Sequence, residues 1–455
     1  MSILEMPQAQ FLLAEAKLSP GAIRGCRKRL TEFLKRYLPL FYRKEQRRNA
    51  TLVTCGLLSG LERKTCEPIA RQSGVHRKPI QNFVGAGQWD DEAIMAELRG
   101  HVAQELGDTR AVVVVDGSAF PKRGTESCGV GHHWCGHTGQ VENCQIGVFL
   151  AYAVPGGHAL IDRRLFLPKA WAADRKRRAK CHVPRQVAYQ EPWQIALEML
   201  KTHCRDLPHR WVTGDDEFGR IVDFRAQLRR HRELYVLDVP CNTKIRDLEA
   251  SLPPGPRKGL GSVRSLPFCR VDAWMAHQPA SRWRRLRVRA GEKGPVVVEA
   301  MTTRVRTWYK HRIKPGAQER LLVIRTVEST PRIDYSLSNA PDGVPLEELV
   351  RVRGERYRIE PLFEQAKGDT GMDHYEVRSW VGWHHHMTLS LLALWFLTLE
   401  QRQGSGKKNT GLDGVANPRD LHAPLTESAA NARANRQSGY GRSATQRRGP
   451  YLSLV

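Results

Sequence analysis

Ala111-Val112-Val113-Val114-Val115-Asp116-Gly117-Ser118 sets the centre of the fold. Four valines in a row, with no polar residue to mark an outward face, describe a strand buried on both sides, as in the middle of a parallel or mixed sheet. The strand is expected to end on Asp116. Asp-Gly is common turn chemistry, so this acid can be a plain turn residue. It can also belong to a set of acids compensated by a bound cation, because an unpaired charge at the mouth of a buried strand is costly. Partner carboxylates elsewhere in the chain decide between the two.

Bulk properties narrow the partner. Of 455 residues, 72 are Lys or Arg and 47 are Asp or Glu, a formal charge of +25. Such an excess repels itself in the folded state and points to a polyanion, with nucleic acid as the obvious class. The longest apolar run, residues 387–399, is too short for a bilayer and holds Thr388, Ser390 and Thr398. Glu5 and the lack of a basic segment ahead of an apolar core argue against a secretory leader. Ten cysteines stand singly, without a CxxC pair, as expected of free thiols in a reducing compartment.

Residues 1–105 have helical periodicity, visible from Phe11-Leu12-Leu13 onward, and form the expected N-terminal helical DNA-binding domain. Residues 21–50 carry ten Lys/Arg against two Glu, either a solvated face or a surface for phosphates. From Lys64 to Val84 a short helix, Gly74 and a second helix with Pro79 in its first turn spell a helix-turn-helix. Thr65 is a candidate cap of the first helix. Arg77 and Lys78 would meet phosphates, and Gln81 and Asn82 are residue types that read adenine edges. Trp89-Asp90-Asp91-Glu92 opens a further helix.

From residue 106 the pattern changes. Strands are expected at 111–116, 143–153 and 158–167, the last two joined at Gly156-Gly157. A basic loop at 171–185, a helix at 192–204, a short strand at 211–213, a helix to about 232 and a strand at 233–239 follow. Three antiparallel strands, helix, strand, helix, strand is the order of an RNase H-like α/β mixed sheet with flanking helices. Residues 106–240 and 341–403 supply its two parts. Residues 241–340 read as a β-rich insertion, and 404–455 as a disordered tail. In the insertion Arg304, Arg306, Trp308, Lys310 and Arg312 alternate, which puts four cations and an aromatic on one strand face. That face suits nucleic acid or a charge-protected edge.

In such a sheet the first and fourth strands are neighbours. This brings Asp116 and the Asp215 of Gly214-Asp215-Asp216-Glu217-Phe218-Gly219 together. A third acid must come from a packed helix. In Arg356-Tyr357-Arg358-Ile359-Glu360-Pro361-Leu362-Phe363-Glu364-Gln365-Ala366-Lys367, helical spacing puts Arg356, Glu360, Phe363, Glu364 and Lys367 on one face. Pro361 starts or interrupts that helix near Glu360. Clustered acids cannot all stay ionised without a metal or a large pKa shift. Mg²⁺ takes carboxylate oxygens, water and phosphate. Two such ions about 3.5–4 Å apart activate a nucleophile and steady the leaving oxygen of an in-line displacement. Arg356 and Lys367 would meet the phosphate backbone, as would Lys122 and Arg123 in the basic turn after Phe120-Pro121.

Taken together the sequence resembles the DDE transposases of bacterial insertion sequences, in particular the insertion-sequence-701 branch. The likeness rests on Asp116 with Gly117-Ser118-Ala119-Phe120-Pro121-Lys122-Arg123-Gly124, and on Glu142-Asn143-Cys144-Gln145-Ile146-Gly147-Val148-Phe149-Leu150-Ala151-Tyr152. It continues in Val212-Thr213-Gly214-Asp215, Phe218-Gly219, Ile359-Glu360, Phe363 and Ala366-Lys367-Gly368, and ends in Asp373-His374-Tyr375-Glu376-Val377-Arg378-Ser379-Trp380. The resemblance implies catalysis and metal binding by Asp116, Asp215 and Glu360, with two Mg²⁺ ions for which Mn²⁺ can substitute. It implies double-stranded DNA as partner, both the element's inverted-repeat ends and the target, cut to a 3′-OH that attacks the target. It also implies a homodimer or higher oligomer on DNA, in the bacterial cytoplasm at the nucleoid and away from membranes. Arg356 and Lys367 fit the R-x3-E-x6-K part of the related Y-x2-R-x3-E-x6-K signature. The chain departs from it at the tyrosine, which is Arg353 here, and carries Gly117-Ser118-Ala119 where family members often have Glu-Thr-Gly.

Other residues compete. Cys128, His132, His133, Cys135, His137 and Cys144 crowd one segment, at a spacing that suits zinc poorly. His384-His385-His386 opens an apolar helix, where packing and capping are the simpler roles. Asp216 or Glu217 could take the place of Asp215. Asp162 and Asp238 are weaker candidates, and Glu364 and Glu376 suit the surface.

Overall fold

Among the described residues, 20–136, 138–205, 207–251, 266–291, 294–308, 316–328 and 330–406, five α-helices precede the first strand in the computed structural model. The Phe11 segment, His137, Lys310, Arg312 and the expected tail from 407 onward lie outside the described residues. The helices are α1 (Pro20–Tyr37), α2 (Lys44–Leu57), α3 (Cys66–Gln72), α4 (Arg77–Gly85) and α5 (Asp91–Leu106). The α3–α4 turn passes through Gly74 at φ 65, a left-handed conformation that costs glycine little. Thr65 occupies the N-cap position of α3, but its side chain makes no capping bond. Asp90 does cap α5, accepting from the Glu92 and Ala93 N–H groups.

The sheet is built on β1 (Val112–Pro121), β2 (Gly131–Cys135), β3 (Gln140–Val154), β4 (Gly157–Leu165), β5 (Trp211–Gly214) and β6 (Leu234–Asp238). β1 runs antiparallel to β3 and parallel to β5; β5 runs parallel to β6, and β3 pairs antiparallel with β4. This is the expected mixed RNase H-like sheet. Val112 to Val115 have no exposed surface, as four valines between two covered faces should.

One expectation is corrected here. β1 does not end at Asp116 but continues to Pro121. Gly-Ser-Ala has little strand preference of its own, yet β3 is long enough to pair it, from Asp116↔Phe149 to Pro121↔Cys144. On its other side β1 loses its neighbour at Val115↔Gly214. A second correction concerns the basic stretch after 168, expected as a loop. It holds two short helices, α6 (Lys169–Ala173) and α7 (Arg175–Lys180). Asp174 caps α7 by accepting from the Arg177 N–H, and the Arg177 guanidinium lies 3.6 Å from the Trp171 ring centre. Helices α8 (Pro192–His203) and α10 (Val222–Arg230) stand where expected, and a further short helix, α9 (Asp216–Gly219), precedes α10.

Residues 241–340 hold β7 (Lys244–Asp247), β8 (Cys269–Arg270), α11 (Val271–Ala276), β9 (Arg284–Gly291), β10 (Gly294–Thr307), β11 (Gln318–Thr326) and β12 (Ile333–Ser338). They are β-rich but extend the same sheet: β12 pairs with β6, giving twelve strands among the described residues. A core of their own, with Ile245, Trp274, Met301, Val305 and Leu321, sits on this wing. The alternating cations of β10 are partnered within the chain. Arg304 pairs with Glu249 at 2.8 Å and Asp342 at 3.7 Å, and Arg306 donates to the Gly316 carbonyl at 3.1 Å.

The last helices are α12 (Leu346–Glu355), α13 (Ile359–Thr370) and α14 (Trp380–Gly406), with a 3₁₀ turn over Arg356–Arg358 between the first two. Pro361 falls in the first turn of α13, where its missing N–H is harmless. α14 packs on β4, α2, α4, α5 and α13 and so ties the N-terminal helices to the sheet. His384, His385 and His386 are buried in it: His384 pairs with the Trp380 carbonyl, His385 stacks on Trp89, and His386 meets the Gly371 carbonyl. Burial pushes His384 and His386 down to about 4, so they pack as neutral rings.

Helix α9 approaches β6 so closely that a Cβ on Gly219 would stand 1.8 Å from the Asp238 carbonyl oxygen. Gly219→Ala must push the two apart. We expect it to cost roughly 1–3 kcal/mol of stability, read as a lower midpoint in denaturant unfolding, whereas Gly100→Ala, with open space around it, should cost nothing.

Candidate active site

The register of the parallel strands defines the site. Val115 pairs with Gly214, and Gly214 with Leu237. Asp116, Asp215 and Asp238 therefore all stand one residue past the same row, at the same end of three adjacent strands. Asp116 takes the Gly117 N–H at 2.7 Å. Asp215 caps α9, accepting from Glu217 N–H at 3.0 Å and Phe218 N–H at 3.4 Å. Asp238 accepts from Ser336 Oγ at 2.6 Å and from Arg353 Nε at 3.2 Å.

Glu360 arrives from the first turn of α13 and accepts from Arg356 Nη1 at 3.2 Å. The Arg356 guanidinium also lies 3.1 Å from Asp238 through Nε. Arg332, Asp334 and Asp216 complete an open cleft of ≈ 410 Å³ together with Asp215, Asp238, Arg356 and Glu360.

Electrostatics mark the acids as crowded. Burial, then Asp215, then Glu360 push the Asp116 carboxyl up to about 8, against the pull of Gly117 N–H and Arg356. Burial, Glu217 and Asp216 push Asp215 up to about 6, again opposed by Arg356. A guanidinium thus partly neutralises a set of acids that is short of positive charge. The donor set is of carboxylate oxygens, with Asp215 and Glu360 at the cleft, and suits Mg²⁺ or Mn²⁺.

The three sequence candidates share this end of the sheet, but their carboxylates are not drawn into one ligand sphere. Among the described residues, the group whose ligand atoms lie within 4.8 Å of one another is Glu92, Asp162 and His203, on α5, β4 and α8. That group is already an ion-pair network. Arg163 lies 3.3 Å from Glu92 and 3.7 Å from Asp162, Arg99 lies 2.5 Å from Glu92, and His203 bonds to Asp162. At the cleft, Glu360 instead turns to Arg356.

The basic candidates fall in different settings. Arg123 is exposed. Lys122 lies 3.3 Å from the Tyr375 ring centre, and burial pushes it down to about 8. Lys367 donates to the Ala119 carbonyl at 3.4 Å, and burial lowers it too. Both lysines lie beside the stretch of β1 that continues past Asp116. Arg77, Lys78, Gln81 and Asn82 are exposed on α4, with Arg77 paired to Glu67 at 3.1 Å. Sequence reasoning underrated Asp238 and set Arg353 aside. A signal was available, since an Asp follows the valine run 112–115, the Thr213-Gly214 end of the short strand and Val236-Leu237 alike.

The raised acids carry a stability cost in the metal-free chain. Their protons are held in the folded state and lost earlier in the unfolded one, so stability falls as pH rises from the ordinary aspartate value through about 6 and 8. Asp116→Asn removes the larger part of this. With chelator present, its melting temperature should exceed that of wild type near pH 8, and the gap should close toward about pH 4. Thermal melts of both proteins across pH check this; parallel curves would contradict it.

Residues 36–295 match the family of DDE superfamily endonucleases. The matched span contains Asp116 and Asp215 and stops before Glu360. No curated protein sequence matches the chain. Among solved structures it is similar to the piggyBac transposase in its synaptic complex with hairpin DNA, at 11% identity and a TM-score of 0.40, over 90% of this chain and 78% of that one. No described helix is long and apolar enough to cross a membrane. On the match of more than half its length, this chain belongs to the DDE superfamily endonucleases.

Proposed function

We propose that the chain is a transposase that binds the ends of its own insertion sequence, cuts there to leave a 3′-OH, and joins that end to target DNA. One observation carries the reading: Asp116 and Asp215 stand on a common row, and Arg356 meets Glu360 while lowering both aspartates. Asp116, Asp215 and Glu360 would hold two Mg²⁺ ions, with Mn²⁺ as a substitute. When bound, such a pair supplies an activated attacking oxygen and offsets charge on the leaving one.

The chain's own residues do the rest. Asp116 and Asp215 give up the protons that crowding makes them retain. Glu360 leaves Arg356, and the freed guanidinium takes a phosphate of the scissile strand in a two-point contact. Lys122, Arg123 and Lys367 steady the backbone beside β1. Residues 1–105 act as the DNA-binding domain, with Arg77 and Lys78 on phosphates and Gln81 and Asn82 on base edges. Residues 106–240 and 341–403 are the catalytic domain, and 241–340 its β-rich insertion. Two ends need two active sites, so a homodimer or larger assembly forms on DNA, at the nucleoid in the cytoplasm.

Asp116→Asn, Asp215→Asn and Glu360→Gln should each abolish Mg²⁺- or Mn²⁺-dependent nicking of an end-bearing duplex while leaving its binding within a few-fold of wild type. A wild type that binds such ends and never nicks them marks a decayed relative that only occupies DNA. Equal nicking of unrelated duplexes marks a general nuclease.

Recognition by α4 has its own signature. Gln81→Ala should cost about 1–3 kcal/mol of end affinity and relax sequence preference, and Lys78→Ala should weaken all duplexes alike and reduce the salt slope by about 1. Competition binding at several salt concentrations separates the two.

A further inference from the structure

Resting on that reading of the cleft, we propose that Asp238 and Arg353 form a buried cradle that positions Arg356 in the active site. Arg353 stands where the related signature carries tyrosine, and the structure answers the extra charge. Its guanidinium grips Asp238 through Nε at 3.2 Å and Nη2 at 3.1 Å, and reaches Asp334 at 2.9 Å. Arg353 is 4% exposed and Asp238 9%, so neither can be left alone without a large penalty. Ser336 Oγ donates at 2.6 Å to the same Asp238 Oδ1 that takes Arg353 Nε.

Arg356 sits on this pair. Its Nε lies 3.1 Å from Asp238 without a directed hydrogen bond, so charge holds the guanidinium more than geometry does. The Tyr357 ring forms a wall against both arginines, 4.4 Å from Arg356 and 4.7 Å from Arg353. From this seat Nη1 faces the cleft and meets Glu360 at 3.2 Å. Asp238 is thus a positioning residue. It keeps Arg356 within reach of both Glu360 and an incoming phosphate, and Arg353 holds the Asp238 carboxylate, at the wall of the cleft, where it pairs with Arg356.

The test reads Arg356 directly. In the metal-free, full-length protein, an arginine-selective dicarbonyl should modify Arg356 slowly in wild type and several-fold faster in Asp238→Asn, with peptide mass spectrometry locating the adduct. Asp238→Glu should restore most of the protection. With Mn²⁺ and saturating end DNA, Asp238→Asn should nick roughly tenfold or more slowly, with its DNA affinity within a few-fold of wild type. If Asp238→Asn melts too low to assay, Arg353→Lys, which keeps the charge and loses the fork, should expose Arg356 in the same way. A folded variant whose Arg356 is as protected as in wild type overturns the cradle. Protection of Arg356 decides the cradle, and nicking by wild type decides the reading on which it rests.

Discussion

Like charge gathered at one end of three parallel strands is the constraint on which the rest of the structure turns. Asp116, Asp215 and Asp238 share a row because Val115, Gly214 and Leu237 do. Burial leaves little water to soften their repulsion. Arg353 and Arg356 pair with Asp238, while burial, helped by Asp215 beside Asp116 and by Glu217 and Asp216 beside Asp215, makes those two carboxyls hold their protons well above the ordinary range. Glu360 is added by a helix that starts afresh after a 3₁₀ turn.

Much of the sheet was legible because it is written in local residues. Four consecutive valines, the Gly156-Gly157 hairpin and the order of strands and helices lead to β1 beside both β3 and β5. Pro361 correctly marks the start of α13, and Gly74 the turn between α3 and α4. The continuation of β1 past Asp116 was not legible, since Gly117-Ser118-Ala119 pairs only because β3 reaches that far. The same holds for residues 241–340. Their strand character is local, but their merger with the central sheet depends on the β6–β12 pairing, a long-range register that no periodicity records.

The candidate site divides in the same way. The acids at 116 and 215 follow from strand ends, and 360 from its place on a helix. The partnership of Asp238 with Arg353 does not, because it joins residues 115 positions apart through a buried ion pair. One further charge pattern acquires partners within the chain. Arg304 and Arg306 alternate as a cationic face should, yet both find partners inside the chain. The basic run 175–178, by contrast, becomes a capped helix once Asp174 satisfies its first turn.

The most direct measurement is anomalous scattering from crystals of the protein grown with Mn²⁺. The account predicts Mn²⁺ between Asp116, Asp215 and Glu360, with Glu360 turned away from Arg356 and Arg356 still seated on Asp238. Mn²⁺ held instead by Glu92, Asp162 and His203, with Glu360 left on Arg356, would contradict it.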